Sequence, residues 1–556
     1  MQPKKSFLYP ITRRNFLASS ARAGAGMLAA SLLSGSRSLR AAQATAAKEE
    51  PVRATITVDA EVALHRIDPN IYGSFVEHIG RCVYGGMYEE GSPLADEEGF
   101  RKDVLAAARD WGVPILRWPG GDFASNYHWE DGIGPKASRP RKYNAAWYEE
   151  ESNHFGTDEF ISYCRKLGAE PYICINAGSG TPEEAANWVE YCNGTGDTHY
   201  ANLRRKYGHA EPYNVRYWGL GNEVYGIWQI GHMNAEDYAK FALETGKWMK
   251  WVDPTIKLVA CGLGGAAGAA DRANWNRTVL EKLINVADYV SLHDYEGTDD
   301  YYDLLGTLRR VEDRIRMVNA AIELTDPARG KDLILAESLP EVKTKRRIEI
   351  AVDEWNVWYR KRDIWRRDIP NPVEEKYNLR DALWVASVLN LFQRMGQTVT
   401  LANQSQMVNV VGAIFTSKEG LFLQTIYFPM KLYCRECGPL YLASRVSSPT
   451  FSSKTCKDMP FLDVSATQDE DKKQIALVVV NRHESKPIAA DIDIRGAKIA
   501  NAATLFEING ASPGTENSFA QPNNVKIEKS EFRNAGARFT YTLPAHSVTL
   551  LKLRSA

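Results

Sequence analysis

The sequence predicts an α/β fold, a (β/α)8 TIM barrel followed by a C-terminal antiparallel β-sandwich of the jelly-roll type. Between about residues 70 and 430, short apolar runs alternate with longer helical patterns, as in a barrel of parallel strands. After about residue 435 the runs are short and β-like and are separated by Gly, Pro and Asn. A length of 556 residues suits one large barrel with a smaller partner.

Eight apolar runs are predicted to be the barrel strands. Several lack strict alternation, which is typical of strands that are buried on both faces. A doubly wound α/β sheet is the main alternative arrangement. The predicted strands are Ile71–Phe75, Ile115–Trp118, Tyr172–Asn176, Val215–Leu220, Lys257–Cys261, Tyr289–His293, Glu349–Val352 and Thr398–Ala402.

Helical patterns lie between these strands. Asn234 and Thr157 are residue types that favour the N-cap position, and we predict that each caps the helix at its position in the chain. The predicted helices are Asp103–Trp111, Thr157–Leu167, Ala235–Trp251, Arg277–Asn285, Tyr301–Ile322 and Glu375–Arg394.

The predicted sandwich includes one strand from the start of the chain. The run Ala54–Val58 precedes the barrel, and we expect it to join the C-terminal strands. We therefore predict an N-terminal strand region at 45–70, a catalytic barrel at 71–432 and a sandwich at 433–556. The predicted C-terminal strands are Ile475–Asn481, Ile488–Ile494, Ala503–Ile508, Val525–Lys529 and Arg538–Leu543.

Residues 1–44 have the features of a twin-arginine-type export signal. Thr12–Leu17 contains the paired Arg13 and Arg14, and a short apolar run follows before the small residues Ala42 and Ala44. The sequence therefore predicts export, to the periplasm or outside the cell; a cytosolic protein with a basic tail is the alternative. No later segment holds 18 uninterrupted apolar residues, so no membrane span is predicted.

Charge and cysteine content argue against several other functions. Lys and Arg total 68 against 69 Asp and Glu, so the overall charge gives no reason to expect nucleic-acid binding. Cys434 and Cys437 form a lone CxxC without two further ligands at metal-site spacing. Gly262–Ala267 fits a GxGxxA pattern, but Asp288 precedes the next strand, where a dinucleotide site needs an acid after it. No metal or organic cofactor is expected.

Two carboxylates occupy the ends of predicted strands. Glu223 ends the segment Trp218–Glu223 after the fourth strand, and Glu354 follows the start of the seventh. Strands four and seven face each other across a barrel rim, so these carboxylates can meet in a cleft. A protonated and an ionised carboxyl group are what glycosidic bond hydrolysis needs, with about 5–5.5 Å between them for retention of configuration. Structural, salt-bridged carboxylates are the alternative interpretation.

At these residues the sequence resembles the α-L-arabinofuranosidases of glycoside hydrolase family 51, a retaining family whose catalytic pair sits on barrel strands four and seven. The resemblance runs from about Ile71 to Ile414 and is looser in the sandwich. The motifs that carry it are Tyr72–His78, Arg81–Gly86, Arg117–Gly121, Tyr127–Pro135, Gly219–Glu223, Asp353–Trp358 and Gln406–Val410.

The resemblance implies a role for each residue of the predicted site. Glu223 is expected to be the general acid/base and Glu354 the nucleophile. The remaining expected roles concern the sugar and the nucleophile: Glu77, Asn222 and Gln406 hold furanose hydroxyls, Tyr295 lies beside the nucleophile, Arg117 supports the active-site floor and Trp147 stacks on a sugar.

Two positions depart from the family pattern. Asp122 stands where many members carry Asn or Cys, and we predict that it is a substrate contact. A carboxylate there can accept hydroxyl hydrogen bonds, but it also repels a nearby nucleophile. His154 stands where the family usually has Glu, and we expect an altered loop near the cleft.

The sequence thus predicts a glycosidase that releases terminal α-L-arabinofuranosyl groups from arabinan or arabinoxylan with retention. Its expected partner is an arabinose-containing polysaccharide or oligosaccharide, and the family resemblance suggests a homo-oligomer. The alternatives are a clan-related β-xylosidase or endo-β-glucanase, a non-catalytic carbohydrate-binding protein and, from the glycine motif alone, a nucleotide-dependent enzyme.

Overall fold

Eight parallel strands form a closed ring of hydrogen bonds, in which the eighth strand pairs with the first through Asn403 and Gly73. The computed structural model describes residues 52–265, 268–328, 347–360 and 373–556. The closed ring confirms the predicted barrel and excludes the doubly wound sheet. Its strands are Gly73–Phe75, Ile115–Trp118, Glu170–Cys174, Tyr217–Gly219, Lys257–Ala260, Tyr289–Glu296, Glu349–Val357 and Val399–Gln404.

The strands pack on both of their faces. Seven side chains from strands two to eight form a cluster of their own, while the other faces join a much larger cluster with the helices. This double burial explains why several of these strands lack a strict apolar–polar alternation. The small cluster consists of Ile115, Tyr172, Tyr217, Val259, Tyr289, Ala351 and Leu401.

Helices alternate with the strands along the chain. The predicted helix Tyr301–Ile322 is divided at Thr307, whose hydroxyl bonds Leu304 O and accepts from Trp384 Nε1. In the described part of the chain the α-helices are Lys102–Trp111, Thr157–Leu167, Pro182–Asn193, His199–Lys206, Ala235–Val252, Ala269–Leu283, Tyr301–Gly306, Leu308–Thr325, Leu379–Arg394 and Tyr427–Glu436.

One of the two predicted N-caps is confirmed and the other is wrong. The Asn234 side chain accepts a hydrogen bond from the Asp237 N–H and caps Ala235–Val252. Thr157 is instead the first helical residue, and Gly156 precedes it. A side chain at Gly156 does not fit, because its Cβ would lie 1.9 Å from Gly132 O.

Nine strands form a second sheet. Val52–Arg66 lies inside it, antiparallel to Leu440–Ser447 and parallel to Ile488–Arg495, so one neighbouring pair departs from the predicted antiparallel pattern. One face of these strands packs into a separate apolar core. The other strands are Leu462–Gln468, Gln474–Asn481, Ile499–Ile508, Ile527–Phe532, Arg538–Leu543 and Ser547–Ser555.

Short elements complete the rim and the connections. A two-stranded hairpin, Lys142–Asn144 with Glu149–Glu151, carries Trp147 at its tip. Two further hairpins pair Ile414–Thr416 with Leu421–Leu423 and Thr450–Phe451 with Met459–Pro460. The 3-10 turns are Pro69–Tyr72, Asp122–Asn126, Trp129–Gly132, Lys136–Ser138 and Asp326–Ala328.

The barrel and the nine-stranded sheet belong to one compact unit, Pro51–Ala556. The helix Leu379–Arg394 contacts the sheet, where Arg394 Nη1 lies 2.8 Å from Asp463 Oδ1. All eight cysteines are free thiols. Among the described helices, none is long and apolar enough to cross a membrane. The predicted export signal at 1–44 lies outside the described residues.

Candidate active site

The two predicted catalytic carboxylates meet at the rim of the barrel. Glu354 lies within the seventh strand, and Glu223 lies in the loop after the fourth strand with a φ of 42°. One carboxylate oxygen of each lies within 4.8 Å of the other. This spacing is close to the retaining arrangement and well below the gap of about 6.5–9.5 Å that an inverting pair leaves for water.

Glu354 is held from both sides by donors. Arg117 Nη1 lies 2.6 Å from Oε1, and the Tyr295 hydroxyl donates to Oε2 at 2.9 Å. Arg117 stands on the second strand and Tyr295 on the sixth, so three strands fix this carboxylate. The guanidinium and the hydroxyl thus hold both oxygens of this carboxylate in fixed positions.

Glu223 is surrounded by three donors. His293 Nδ1 lies 2.9 Å from Oε1, Trp228 Nε1 donates to Oε2 at 3.0 Å, and the Tyr225 hydroxyl lies 3.3 Å from Oε1. Burial works to raise the pKa of the Glu223 carboxyl, but the hydrogen bond and charge of His293 and the other donors outweigh it. The pKa therefore lies below its ordinary value.

His293 links the acidic groups of the site. Burial lowers its pKa, but the charge of Glu354 and hydrogen bonds to Asp353 and Glu223 raise it more, to about 10. The ring is therefore a cation at neutral pH. His293 Nδ1 lies 2.9 Å from Glu223 Oε1 and 3.5 Å from Glu354 Oε2, so the ring contacts both predicted catalytic carboxylates.

Asp353 contacts both His293 and Arg117. Its oxygens accept from the hydroxyls of Tyr172 at 2.7 Å and Ser291 at 2.5 Å, and His293 Nε2 lies 3.4 Å away. Burial raises its pKa, but the hydrogen bond of His293 and the charge of Arg117 bring it down to about 2. The ionised Asp353 thus balances one of the two buried cations.

Glu77 forms a second polar cluster across the cavity. Its Oε1 accepts from Trp147 Nε1 at 2.9 Å and from the Phe123 N–H at 3.0 Å, and Gln406 Nε2 lies 3.2 Å from Oε2. Burial and the charge of Glu354 raise the pKa of Glu77 to about 7. Gly120 allows this approach, because a Cβ there would lie 2.4 Å from Glu77 Cγ.

Two amides retain unused hydrogen-bonding groups. Asn222 Oδ1 accepts from Arg117 Nη2 at 2.7 Å, while Asn222 Nδ2 is buried and has no partner among the described residues. Gln406 Oε1 is likewise buried without a partner there. Such groups are costly unless a ligand completes them, and sugar hydroxyls are suitable partners.

Asp122 enters the site from the turn after the second strand. It accepts a hydrogen bond from Gln229 Nε2, and Gln229 Oε1 accepts from the Ser125 hydroxyl at 2.7 Å. Burial and the negative charges of Glu223, Glu77 and Glu354 raise its pKa well above the ordinary value. The site thus joins the loops after strands two and four through one carboxyl group.

These residues surround a cavity of about 500 Å³. Arg117 and Asn222 are not among its lining residues, and Arg117 bonds both Glu354 and Asn222. His154 is not among its lining residues; its Nδ1 lies 2.8 Å from Glu90 Oε2 on the outer loop. The predicted site residues that line the cavity are Glu77, Asp122, Trp147, Glu223, Tyr295, Glu354 and Gln406.

Sequence reasoning missed three members of the site. His293 was within reach of prediction, because it ends a predicted strand beside Tyr295. Asp353 precedes the nucleophile in the same motif, but its contacts with Tyr172 and His293 join distant strands. Trp228 lies in a loop, where nothing in the local sequence distinguishes a donor to Glu223 from an exposed aromatic residue.

A closed eight-stranded barrel with two facing carboxylates at strands four and seven defines a glycoside hydrolase. Family models agree: the α-L-arabinofuranosidase 1 domain matches residues 107–313 and the α-L-arabinofuranosidase C-terminal domain matches 353–547. The chain belongs to the α-L-arabinofuranosidases of glycoside hydrolase family 51.

Individual relatives cover nearly the whole chain. The probable α-L-arabinofuranosidase C of Aspergillus clavatus is 39% identical over 90% of this chain and 97% of its own length. The intracellular exo-α-(1→5)-L-arabinofuranosidase of Halalkalibacterium halodurans is 38% identical over 80% and 87%. The solved family 51 α-L-arabinofuranosidase of Thermotoga petrophila is 43% identical, with a TM-score of 0.81 over 90% and 99%.

Proposed function

We propose that this protein is a retaining, exo-acting α-L-arabinofuranosidase in which Glu354 is the nucleophile and Glu223 the general acid/base. The observation that carries the proposal is the pair itself, with carboxylate oxygens within 4.8 Å of one another in a cavity of polar groups. The names of the relatives support the same activity.

In the first step an oxygen of Glu354 attacks the anomeric carbon while the bond to the leaving oxygen breaks. Glu223 gives its proton to that oxygen, which departs as a hydroxyl group. Arg117 and Tyr295 hold the attacking carboxylate in place. The products of this step are the free aglycone and an arabinosyl ester of Glu354.

In the second step Glu223 acts as a base. It takes a proton from a water molecule, whose oxygen attacks the anomeric carbon and releases Glu354. The two inversions give net retention. His293, at 2.9 Å from Glu223, stabilises the ionised state that Glu223 reaches after the first step.

The remaining cavity groups select the sugar. Glu77 and Gln406 face one another across a hydrogen bond, and the free Gln406 Oε1 and Asn222 Nδ2 are available for furanose hydroxyls. The Trp147 indole is held by Glu77 and lines the cavity, where it can pack on an apolar sugar face. Asp122 adds a further polar contact on the leaving-group side.

We propose terminal arabinofuranosyl groups of arabinan or arabinoxylan as the natural substrate. The word exo in the name of the Halalkalibacterium relative supports release from chain ends or branches. We retain export by the signal at 1–44 and a homo-oligomeric state as parts of the proposal. Fractionation of the source cells tests the export, since that same relative is named intracellular.

The proposal is tested by nitrophenol release from an aryl α-L-arabinofuranoside beside the matching β-xyloside and β-glucoside. We expect cleavage of the arabinofuranoside alone, and a loss of about 10³-fold or more in kcat/KM for Glu354→Ala. Glu349→Gln, at the opposite end of the same strand, is the control for a lost carboxylate. Preference for a pyranoside would indicate the clan-related enzymes, and binding without turnover would indicate a carbohydrate-binding protein.

A further inference from the structure

A hydroxyl, an imidazole and a carboxylate meet outside the catalytic cavity, on the loops after barrel strands two and three. His128 lies in the loop after strand two, Ser179 in the loop after strand three and Glu184 in the helix Pro182–Asn193. Ser179 Oγ lies 3.4 Å from His128 Nε2, and His128 Nδ1 lies 3.0 Å from Glu184 Oε1. We call these three side chains the serine triad.

The order of contacts in the serine triad is that of a nucleophile, a base and an orienting acid. When His128 Nδ1 donates its proton to Glu184, the Nε2 lone pair faces the Ser179 hydroxyl and can accept its proton. The distance of 3.4 Å falls in the looser range that such pairs show without a bound substrate. The geometry therefore suits activation of Ser179 as a nucleophile.

The loop around Ser179 keeps its hydroxyl proton available. Asn176 Nδ2 donates to Ser179 Oγ at 3.0 Å, and Asn176 Oδ1 accepts from the N–H groups of Gly178 and Ser179. Because Asn176 donates to the oxygen, the hydroxyl has its own proton left to give. Two acceptors lie within reach of that proton, Ser125 O at 3.3 Å and His128 Nε2.

Ser179 is open to solvent and stands next to a helix N-terminus. The strand Glu170–Cys174, the serine loop and the helix Pro182–Asn193 follow one another, as do the strand, nucleophile and helix of α/β-hydrolases. The first N–H groups of a helix lack intrahelical acceptors and carry partial positive charge. An oxyanion formed on a carbonyl attacked by Ser179 lies beside this end of the helix, where such donors stabilise it. Gly178 and Gly180 flank the serine, so its neighbours add no side chain that blocks a bulky ester.

The serine triad adjoins the arabinofuranosidase cavity without sharing its residues. Ser125, whose carbonyl accepts from the Ser179 N–H at 3.1 Å, donates its hydroxyl to Gln229. Gln229 in turn bonds Asp122, which lines the cavity, whereas the three triad side chains do not. Both sites therefore lie on the carboxyl-terminal face of the barrel, which a polysaccharide can approach as a whole.

We propose that the serine triad is a second catalytic site, which hydrolyses esters between a carboxylic acid and a sugar hydroxyl. Ser179 Oγ attacks the ester carbonyl carbon and gives its proton to His128. The bond between that carbon and the sugar oxygen breaks, and the oxygen takes the proton from His128. Water then attacks the acyl-serine, again through His128, and releases the carboxylic acid and the free serine. This activity goes beyond the proposed arabinofuranosidase and uses neither Glu223 nor Glu354.

The test measures ester hydrolysis with p-nitrophenyl acetate and with an O-acetylated arabinoxylo-oligosaccharide, from which released acetate is measured. Ser179→Ala removes the nucleophile and Glu184→Gln the orienting charge. The matched controls are Ser512→Ala and His199→Ala, which change an exposed serine and an exposed histidine elsewhere. Circular dichroism and the rate on an aryl arabinofuranoside check that these variants are folded.

We expect kcat/KM on both esters to fall about 100-fold or more in Ser179→Ala and about tenfold or more in Glu184→Gln. The controls and Glu354→Ala should hydrolyse both esters at the wild-type rate, which separates this activity from the proposed glycosidase. Diisopropyl fluorophosphate should form one adduct, on Ser179, in peptide mass spectra. Wild type that cleaves neither ester, hydrolysis that survives Ser179→Ala, or an adduct on another residue overturns the inference.

Discussion

The residues of the site are organised by the balance of buried charges. Arg117 and His293 are the cations, and Glu354 and Asp353 lie against them. Three further carboxyl groups, Glu77, Asp122 and Glu223, face the same cavity. Since buried like charges repel, these three cannot all be ionised without cost. Burial, together with this repulsion, raises the pKa values of Glu77 and Asp122.

The charge of Asp122 bears on how Glu223 can keep the proton that a general acid needs. The general acid must carry a proton, yet the donors around Glu223 lower its pKa. The charge of Glu223 raises the pKa of Asp122, and because this repulsion is mutual, an ionised Asp122 raises that of Glu223. When Asp122 is ionised it therefore favours a proton on Glu223, which a neutral amide at this position would not do.

This mutual repulsion predicts the pH profile of Asp122→Asn. The neutral amide removes the negative charge that Asp122 acquires as the pH rises and that favours protonated Glu223, so the alkaline limb of kcat/KM on an aryl arabinofuranoside should move to lower pH than in wild type. The acidic limb should move less. An alkaline limb that stays in place or moves upward contradicts the mutual repulsion, and Asp131→Asn outside the cavity controls for the loss of a carboxylate.

At the scale of elements, the helix Ala235–Val252 anchors the loop that carries Glu223 and Trp228. Asn234 caps this helix and ends that loop. Removing an N-cap side chain costs about 1 kcal/mol. We expect Asn234→Ala to lower the free energy of unfolding by about that amount in urea titrations. Asn234→Ser, which keeps a capping oxygen, should remain near wild type, and equal losses for both variants would contradict the capping role.

The sequence predicted those helices and strands whose residue pattern lies within the element itself. All eight barrel strands overlap predicted strands, because burial on both faces leaves a mainly apolar pattern in most of these segments by itself. The helices Pro182–Asn193 and His199–Lys206 and the strand Ser547–Ser555 were not predicted. Gly156 rather than Thr157 precedes the helix, and its close approach to Gly132 is a contact that no local pattern reveals.

In the active site, too, the residues that carry a local sequence signal were predicted, and those that depend on tertiary contacts were not. Glu223 and Glu354 were found because each ends a strand within a specific motif. The partners of Asp122 were not predictable, since Gln229 belongs to another loop and meets it only in the folded barrel.

At the scale of the whole molecule, the barrel and the nine-stranded sheet form one unit. Arg394 at the end of a barrel helix pairs with Asp463 of the sheet, and the Ser465 hydroxyl bonds Gln393 Oε1. His65 of the N-terminal strand adds a bond to Gln393 O at 2.8 Å. Such direct contacts couple the stability of the two parts.

We therefore expect calorimetry to show a single unfolding transition. Asp463→Ala leaves Arg394 without its carboxylate partner and should shift that transition to lower temperature, by about 1–3 kcal/mol in free energy. Asp491→Ala removes a half-exposed ion pair with Arg53 on the same sheet and should cost less. Two separate transitions, or a shift confined to one of two, would contradict the coupling.

The most direct test of the central claim, double displacement through Glu354, is the configuration of sugar azides formed by two variants. With an aryl α-L-arabinofuranoside and azide, Glu223→Ala should give the α-azide, because azide attacks the arabinosyl ester from the side that Glu223 has vacated. Glu354→Ala should give the β-azide by direct attack from the opposite side. Proton NMR distinguishes the two products. The reverse assignment, or a β-azide from both variants, would contradict the roles of Glu223 and Glu354.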